Sequence, residues 1–509
     1  MVDIAGSPSA DEQRARLRRE LSRLDTVFFL ISAMVALDTI GAIAIGGGQA
    51  LTWLVVLFVL FFVPSALISA ELGAAIPQEG GVYVWVRMAF GRFAGGLTSL
   101  LYWAGTPMWV GGSVVAVAMS VHERFISHLS QSNLYVYGAI FIGLATAAAV
   151  LPLRYGKWVP VSGALGQIVL LLFFTLTVVV YAVRHGLHGI GTGDLAPSPT
   201  VFIAVVPVLL YSFVGVELPA TAAEEMRDPR RDIPVAIARA GVSQALMYGI
   251  PIAAVLVVLP AKHVTSLHGL VDAMKTVFTV YGGSVAPDGS VVLSGSGLWL
   301  GRAAALIFVW ALLASGSAWI MGAGRAQAAA CLDGAGPRVF GRISPRSGVP
   351  VVMALVSGAV SLAAMALDVW FTGGDGQKYF SAALTVSIAL IVLAYLLIYP
   401  AFLALRLRLP DLQRPFVIPG GRVAAWVVTI LPAGWSLLAC VCLLWPGLGT
   451  ASPDEHLPAG FEAHRLQFEL LVLFPIACVV AAAGAYHVTT RSRAPMVERE
   501  ASQAALRYH

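Results

Sequence analysis

The sequence is poor in charged residues. Only 12% of its 509 residues are Asp, Glu, Lys or Arg, whereas 58% are hydrophobic. A soluble domain carries about 25% charged residues, so this chain has too little polar sequence to cover a hydrophobic core in water. The composition therefore excludes a soluble globular protein and predicts a membrane protein.

Cysteine is scarce as well. Cys331, Cys440, Cys442 and Cys478 all fall in or beside apolar segments, and their spacing fits neither a metal site nor a disulfide framework. The H-E-x-x-H motif of metalloproteases and the G-x-S-x-G motif of hydrolases are absent from the chain. We therefore expect no metal site, no cofactor and no enzymatic activity.

Apolar runs recur along almost the whole chain, each long enough, at about 20 residues, to cross a hydrocarbon layer of ~30 Å. We predict an all-α membrane protein with a single membrane domain over 25–490, between tails over 1–24 and 491–509. A loop over 261–299 contains the turn residues Pro287-Asp288-Gly289-Ser290. The twelve predicted transmembrane helices cover 28–50, 51–76, 91–120, 134–152, 158–184, 200–223, 234–260, 300–327, 349–368, 379–405, 422–446 and 466–490.

The basic residues are distributed unequally between the two sides of this arrangement. Of the 32 Lys and Arg residues, 25 fall in the two tails and the loops on their side, and seven fall on the opposite side. Positive residues accumulate in cytoplasmic loops. The asymmetry predicts a multi-pass protein of the cell (inner) membrane with both termini in the cytoplasm.

Two of the twelve predicted helices contain residues that interrupt a helix. The first contains Leu37-Asp38-Thr39-Ile40-Gly41 and then Gly46-Gly47-Gly48, and the sixth contains Pro207, Gly215 and Pro219. Free backbone groups inside a membrane are tolerated only where they line a cavity. Discontinuous helices at matching positions of two inverted halves indicate a transport site.

An acid accompanies each interruption, Asp38 in the first helix and Glu217 in the sixth. An unpaired charge there costs a few kcal/mol, so each acid should be paired, protonated or facing water. Asp38 could bind a substrate ammonium group or a coupling cation, or it could cap the half-helix that follows it. Glu217 could exchange a proton or act in gating, or it could hydrogen-bond the interrupted backbone.

Aromatic and hydroxyl residues near the interruptions are further candidates. Tyr211 and Trp319 could form the walls or a thin gate of a substrate cavity, or they could fill helix packing. Ser315, Ser317 and Thr385 could line the cavity, or they could bond to the preceding helical turn.

Several separated motifs resemble those of the amino acid–polyamine–organocation superfamily. LGAAIPQEGGVY at 72–83 is similar to its loop after helix 2, and FVGVE at 213–217 with EEMRDPRRDIP at 224–234 is similar to its helix 6 signature. GVP at 348–350 and PDL at 410–412, with FVIPGG at 416–421, are further matches. The last segments look most like the bacterial glutamate/GABA antiporter branch.

This resemblance implies a LeuT-like fold. Ten core helices would form two inverted five-helix repeats over 28–184 and 200–405, followed by two extra helices over 422–490. Substrate would lie between helices 1, 3, 6, 8 and 10. By similarity to the arginine/agmatine antiporters, Tyr211 would be a gating aromatic, Glu217 a gating glutamate with Tyr102 as its partner, and Trp319 would pack on the substrate.

The sequence departs from the family pattern at two positions. Asp38 lies where relatives have a Gly-Ser-Gly stretch that binds a substrate carboxylate. A carboxylate there would repel an amino acid's own carboxylate and attract an amine. Gln167 lies where many relatives place a lysine in the position of a sodium ion, which argues against lysine-based proton coupling. Ser315 and Ser317 remain a candidate cation site.

The sequence as a whole predicts a secondary transporter of small amino acids or organic amines, working by exchange or with a proton as coupling ion. Its partners would be the small-molecule substrate and the lipid bilayer, and no nucleic acid. The alternative is a non-transporting nutrient sensor on a transporter fold, which would bind ligand without flux. The predicted substrate-binding residues are Asp38, Thr39, Gly41, Tyr211, Ser212, Gly215, Trp319 and Thr385.

Overall fold

The computed structural model of the protein describes most of the chain. It covers Glu12, Leu17 and residues 20–491, except for 261, 262, 287, 288, 449, 451, 459, 462 and 463. Most of the predicted tail over 1–24, and the predicted tail over 491–509 beyond Arg491, therefore lie outside the described residues, as do Pro287 and Asp288 of the predicted turn.

The described chain is mostly helical. One helical turn, Leu153–Gly156, stands apart from the longer helices. The helices are α1 Arg23–Met34, α2 Thr39–Ala44, α3 Gly48–Ala75, α4 Val82–Phe90, α5 Arg92–Phe125, α6 Gln131–Val150, α7 Trp158–His185, α8 Pro199–Ser212, α9 Leu218–Thr221, α10 Pro229–Val258, α11 Gly269–Phe278, α12 Gly295–Leu332, α13 Val351–Phe371, α14 Gly376–Arg408, α15 Gly421–Leu444 and α16 Arg465–Arg491.

Ten helices of the described chain are long and apolar enough to cross a membrane. They are α3, α5, α6, α7, α10, α12, α13, α14, α15 and α16. The other two predicted spans are divided into the pairs α1 with α2 and α8 with α9, whose members are 12, 6, 14 and 4 residues long. Each piece alone is shorter than the ~20 residues that a span requires. The chain is thus a multi-pass, mostly helical membrane protein.

The long helices differ sharply in burial. In the most apolar stretch of α5, 94% of the residues are buried, and the shares in α12 and α14 are 78% and 72%. In the corresponding stretch of α16 the share is only 11%. The helices α5, α12 and α14 therefore form the interior of the bundle, and α16 lies at its edge.

The structure corrects the predicted position of the glycine triplet. Gly46-Gly47-Gly48 does not interrupt the first span but forms the turn from α2 into α3. Gly47 has a φ of +59°, a backbone region in which glycine has no steric penalty. The interruption of the first span is confined to residues 35–38.

Two short helices and a hairpin were not predicted. The helix α4 follows the loop after α3. The helix α11 and the antiparallel strands β1 (Gly283–Val285) and β2 (Val291–Leu293) lie in the segment that was predicted as a loop over 261–299. Elements this short do not produce the apolar runs of about 20 residues that indicate a membrane span.

Candidate functional site

The interrupted backbone of the first span is held by side chains from three other helices. The carbonyl of Val35 accepts a hydrogen bond from the Gln167 amide at 2.9 Å, and that of Ala33 accepts one from the Trp319 indole at 2.8 Å. The Tyr248 hydroxyl lies 2.9 Å from the Ala36 nitrogen, which donates to it. These bonds replace the helical bonds that the interruption removes, as burial requires.

Asp38 lies at the amino-terminal end of α2, but its side chain does not cap that helix. Its Oδ2 accepts hydrogen bonds from the Trp109 indole and the Ser113 hydroxyl of α5, both at 2.9 Å. The residue is 2% exposed, and its buried Oδ1 has no hydrogen-bond partner in the described part of the chain. The carboxylate therefore faces α5 with one buried oxygen left unbonded among the described residues, and the capping alternative for its side chain is wrong.

The interruption of the sixth span contains Gly215 and Glu217. Gly215 has a φ of +109°, which L-residues with a side chain rarely adopt. The carboxylate of Glu217 accepts a hydrogen bond from Tyr102 at 2.6 Å and one from Tyr395 at 2.8 Å. The backbone nitrogen of Gly215 donates to the same Tyr395 hydroxyl at 3.3 Å, so this phenol ties the acid to the interrupted backbone.

The two interruptions are connected to each other through α10. The amide of Gln244 donates to the carbonyl of Met34 at 3.4 Å and also to the carbonyl of Ser212. The Ser212 hydroxyl lies 3.1 Å from that of Thr39, which lies 3.2 Å from the Tyr248 hydroxyl. One continuous hydrogen-bonded network therefore includes both interruptions.

Aromatic rings lie next to Asp38 and Glu217. The ring of Trp109 is 6.5 Å from Tyr211 and 6.2 Å from Trp319, measured between centroids, and both pairs are edge-on. Tyr102 lies 5.8 Å from the same Trp319 ring. Such separations are typical of favourable aromatic pairs. The structure thus brings Tyr211 and Trp319 together around Trp109, a residue that was not predicted, with Tyr102 on Trp319.

Gly41 packs against a neighbouring helix, whereas Thr385 forms a hydrogen bond within its own helix. A Cβ on Gly41 would come within 2.6 Å of the Ser266 carbonyl and 3.1 Å of the Gly269 nitrogen, so this glycine allows α2 to touch the start of α11. The Thr385 hydroxyl bonds to the Ser381 carbonyl of its own helix at 2.8 Å. Their predicted roles in substrate binding stay predictions.

The two serines of the candidate cation site differ. The Ser317 hydroxyl donates to the Ala314 carbonyl at 2.8 Å, which is a bond within its own helix. The Ser315 hydroxyl is buried and has no hydrogen-bond partner among the described residues. The Ser317 hydroxyl thus uses its donor but keeps its acceptor lone pairs, whereas the Ser315 hydroxyl uses neither.

Several residues that hold the two interruptions escaped the sequence analysis: Trp109, Ser113, Gln244, Tyr248 and Tyr395. Their spacing contains a usable signal. Tyr102 and Trp109 are seven residues apart, and Trp109 and Ser113 are four apart, as are Gln244 and Tyr248. Residues at these separations lie on one face of a helix, so a polar or aromatic face inside an apolar helix could have indicated them.

Comparison with known proteins places the chain among transporters. A family model described as "Amino acid permease" matches residues 21–459. A probable agmatine/putrescine antiporter of Lactococcus lactis is 25% identical over 447 residues, which are 87% of this chain and 91% of that protein.

Two further relatives cover most of the chain. A glutamate/gamma-aminobutyrate antiporter of Lactococcus lactis is 22% identical over 83% of this chain and 81% of its own length. An uncharacterized transporter of Mycobacterium tuberculosis is 30% identical over 73% and 79% of the two chains. Since the family match covers most of the sequence, the chain belongs to the amino acid permease family of the amino acid–polyamine–organocation superfamily.

Proposed function

We propose that this permease is a secondary active transporter that moves a small amino acid or organic amine by alternating access. The coupling would be exchange or the co-movement of a proton. The observation that supports this most directly is the pair of interrupted helices, joined through Gln244, with a buried acid at each interruption. Interrupted helices that face each other expose backbone groups to a solute, which is how transporters of several folds bind substrate.

The proposed architecture has twelve transmembrane helices in a LeuT-like arrangement. The pairs α1 with α2 and α8 with α9 would be spans 1 and 6, at the same position in two repeats over 28–184 and 200–405, and residues 422–490 would add two helices. With a rise of 1.5 Å per residue, α1 is about 18 Å long and α8 about 21 Å. These lengths support interruptions near the middle of a ~30 Å hydrocarbon layer.

We propose that the protein lies in the inner membrane of the cell and that both of its termini are in the cytoplasm. The 25 basic residues on the side of the tails, against seven on the other, support it.

Between the two substrate classes, the geometry favours an amine. Asp38 is held by the neutral donors Trp109 and Ser113, and no lysine or arginine of the described chain forms an ion pair with it. A buried carboxylate in this setting gains most from a bound cation. We therefore place the substrate's ammonium group at Oδ1 of Asp38. The agmatine/putrescine name of one relative agrees with this choice.

The other predicted residues take roles that follow from their contacts. Tyr211, Trp319 and Trp109 would enclose the apolar part of the substrate. Thr39, Ser212 and Gly215 would contribute polar and backbone groups from the two interruptions. Glu217, held by Tyr102 and Tyr395, would couple gating or proton movement to the sixth span. A coupling cation, where one is used, would bind at Ser315 and Ser317.

The test uses the full-length protein reconstituted in liposomes. Counterflow of labelled putrescine and agmatine is compared with that of glutamate and gamma-aminobutyrate. We expect amine transport, reduced at least tenfold in Asp38→Asn, since a hydrogen bond to a charged group contributes about 1.5–3 kcal/mol. Asp411→Asn is the matched control, because Asp411 is exposed.

The possible results separate the general proposal from the choice of substrate. If the folded protein transports none of the four compounds and none of them shifts its melting temperature, the proposed transport of amines and amino acids is wrong. If it transports only the two amino acids, and Asp38→Asn behaves as Asp411→Asn does, the ammonium site at Asp38 is wrong while transport stands.

A further inference from the structure

A large groove lies at one end of the bundle, away from both interruptions. Its volume is about 820 Å³, and α5, α12, α13 and α16 contribute to its walls. This volume is within the range of small-molecule sites, about 300–1,000 Å³. The groove is lined by none of the residues around Asp38 or Glu217, so the proposed transport leaves it without a function.

Most of the groove's lining is apolar. The side chains come from α5, α13 and the edge helix α16, and the alanines of α16 leave the space open. Phe93, at the start of α5, is 41% exposed, which leaves part of this wall open to the surroundings. The apolar lining includes Phe93, Leu97, Leu100, Met353, Val356 and Ala483.

The polar residues of the groove are concentrated where α5 begins. Arg87 is paired with Asp333, which also accepts a hydrogen bond from Tyr83, so the charge of Arg87 is compensated. Arg92 lines the same end of the groove, and no carboxylate of the described residues forms an ion pair with it. The ring of His487 lies beside that of Phe93, tilted by 50°, with a centroid separation of 4.8 Å. This end of the groove therefore has an excess positive charge.

The length of the groove matches one leaflet of a bilayer. Arg92 marks its polar end and Trp103 lines its apolar part, where the indole donates to Ser357 at 2.8 Å. Eleven residues of helix separate them, which is about 16 Å at 1.5 Å per residue. Half of a ~30 Å hydrocarbon layer is about 15 Å, so the stretch of α5 that lines the groove has the length of one leaflet.

We propose that this groove binds one anionic phospholipid of the cytoplasmic leaflet, with its phosphate at Arg92 and an acyl chain between α5, α13 and α16. The charge of the polar end is complementary to an anionic headgroup. The basic residues on this side also fit the orientation proposed above, because anionic lipids attract juxtamembrane arginines. The lipid would fill the gap beside α16, whose own packing is sparse, and so connect this helix to the interior of the bundle.

Native mass spectrometry of the full-length protein tests the proposal with two probes, dioleoyl phosphatidylglycerol and dioleoyl phosphatidylcholine. We expect tighter binding of the anionic lipid. Arg92→Gln should weaken its binding about fivefold, equivalent to about 1 kcal/mol for one basic residue at an anionic surface. Binding of the zwitterionic lipid should be weakened less, because its choline cation already offsets the charge of its phosphate. Arg338→Gln is the control, because Arg338, in the short 3₁₀ helix Arg338–Gly341, is exposed and does not line the groove.

A second pair of variants tests the apolar part. Ala483→Trp fills the groove from α16 and Val356→Trp fills it from α13, so either variant that keeps the wild-type melting profile should lose both lipids. Equal effects of Arg92→Gln and Arg338→Gln would overturn the headgroup assignment. Full lipid binding in a folded groove-filling variant would overturn the site. The site would also be wrong if the wild type showed a dimer and no lipid adduct, and the groove-filling variants lost that dimer, because the groove would then bind a second copy of this chain.

Discussion

Buried acids in this protein fall into two groups that differ in how their charge is compensated. Glu71 pairs with Arg406 and Arg414, and Glu225 pairs with Arg325. Asp38 and Glu217 are held by neutral indole and hydroxyl donors. An arginine makes a permanent, structural pair, whereas neutral donors leave a net charge that a proton or a bound cation can cancel. The second group is therefore suited to a transport cycle.

Trp109 should matter through its indole N–H as well as its ring. Trp109→Phe keeps an aromatic ring near Tyr211 and Trp319 but removes the donor to Asp38. Hydrogen bonds to charged groups contribute about 1.5–3 kcal/mol, so we expect putrescine to bind at least about tenfold more weakly. The measurement is the putrescine concentration that gives half of the maximal thermal stabilisation of the purified protein.

Trp310→Phe is the matched control for this prediction. Trp310 also donates its indole N–H to a serine, Ser162, but it is 42% exposed on the outside of the bundle. This variant should bind putrescine as the wild type does. Equal weakening in both variants would mean that the indole of Trp109 has no specific role at Asp38.

The two acids were predictable from the sequence, and the family resemblance indicated Tyr102 as one partner of Glu217, but the other partners were not predicted. An Asp or Glu inside an apolar run is rare enough to attract attention by itself. Tryptophan and tyrosine are frequent in membrane helices, so Trp109 and Tyr395 carry no comparable signal. Which of them faces an acid depends on the rotation of α5 and α14 about their axes, and that rotation is fixed by the packing of all the helices.

At the scale of elements, the interruptions depend on backbone conformations that few residues can adopt. The chain between α8 and α9 turns at Gly215, with its φ of +109°. A Cβ at this position would lie 3.2 Å from Cγ of Met34 and 3.2 Å from a ring carbon of Trp319. The glycine therefore allows both the turn and the close approach of α1 and α12.

Gly215→Ala should lower both stability and transport. The positive φ costs about 1–3 kcal/mol for a residue with a side chain, and the tight contacts would displace Trp319. We expect a lower melting temperature and a large loss of substrate counterflow. Gly434→Ala is the control: this glycine lies within α15, nothing lies within 4 Å of its Cβ position, and alanine favours helices. A Gly215→Ala protein with the melting temperature and transport of Gly434→Ala would contradict the prediction.

Helix positions were predicted more reliably than the ends of helices and the short elements. Hydropathy identifies α5 and α12, because their apolar stretches are long, but these helices run to Phe125 and Leu332, beyond the predicted ends at 120 and 327. The extension of α5 contains the polar residues His122, Glu123 and Arg124, which hydropathy assigns to loops. Arg124 forms an ion pair with Asp272 of α11 at 3.3 Å, and no local property of the sequence reveals that pair.

At the scale of the whole molecule, one end of the bundle is closed by ion pairs between distant segments. Arg325 of α12 binds Glu225 after α9 through two nitrogens, at 2.7 and 3.2 Å, and lies 3.7 Å from Glu79 after α3. Arg23 of α1 binds Asp232 of α10 at 2.7 Å. In the proposed orientation this is the cytoplasmic end, so opening to the cytoplasm would require these segments to separate.

Removing the Arg325–Glu225 pair should therefore affect stability and transport in opposite ways. The two side chains are 4% and 1% exposed. Breaking such a buried pair from one side costs about 3–5 kcal/mol, because the remaining charge is stranded, whereas replacing both partners with apolar residues is often nearly neutral. Arg325→Leu alone and Glu225→Leu alone should each lower the melting temperature, and the double variant should recover part of the loss. In the double variant we also expect faster counterflow, because one contact that opposes cytoplasmic opening is gone.

Arg465→Leu is the control, since its partner Asp454 is 65% exposed and exposed pairs contribute about 0–1 kcal/mol. Additive losses of stability in the double variant, with counterflow no faster than in the wild type, would show that the pair neither behaves as a coupled buried unit nor restrains the cytoplasmic end.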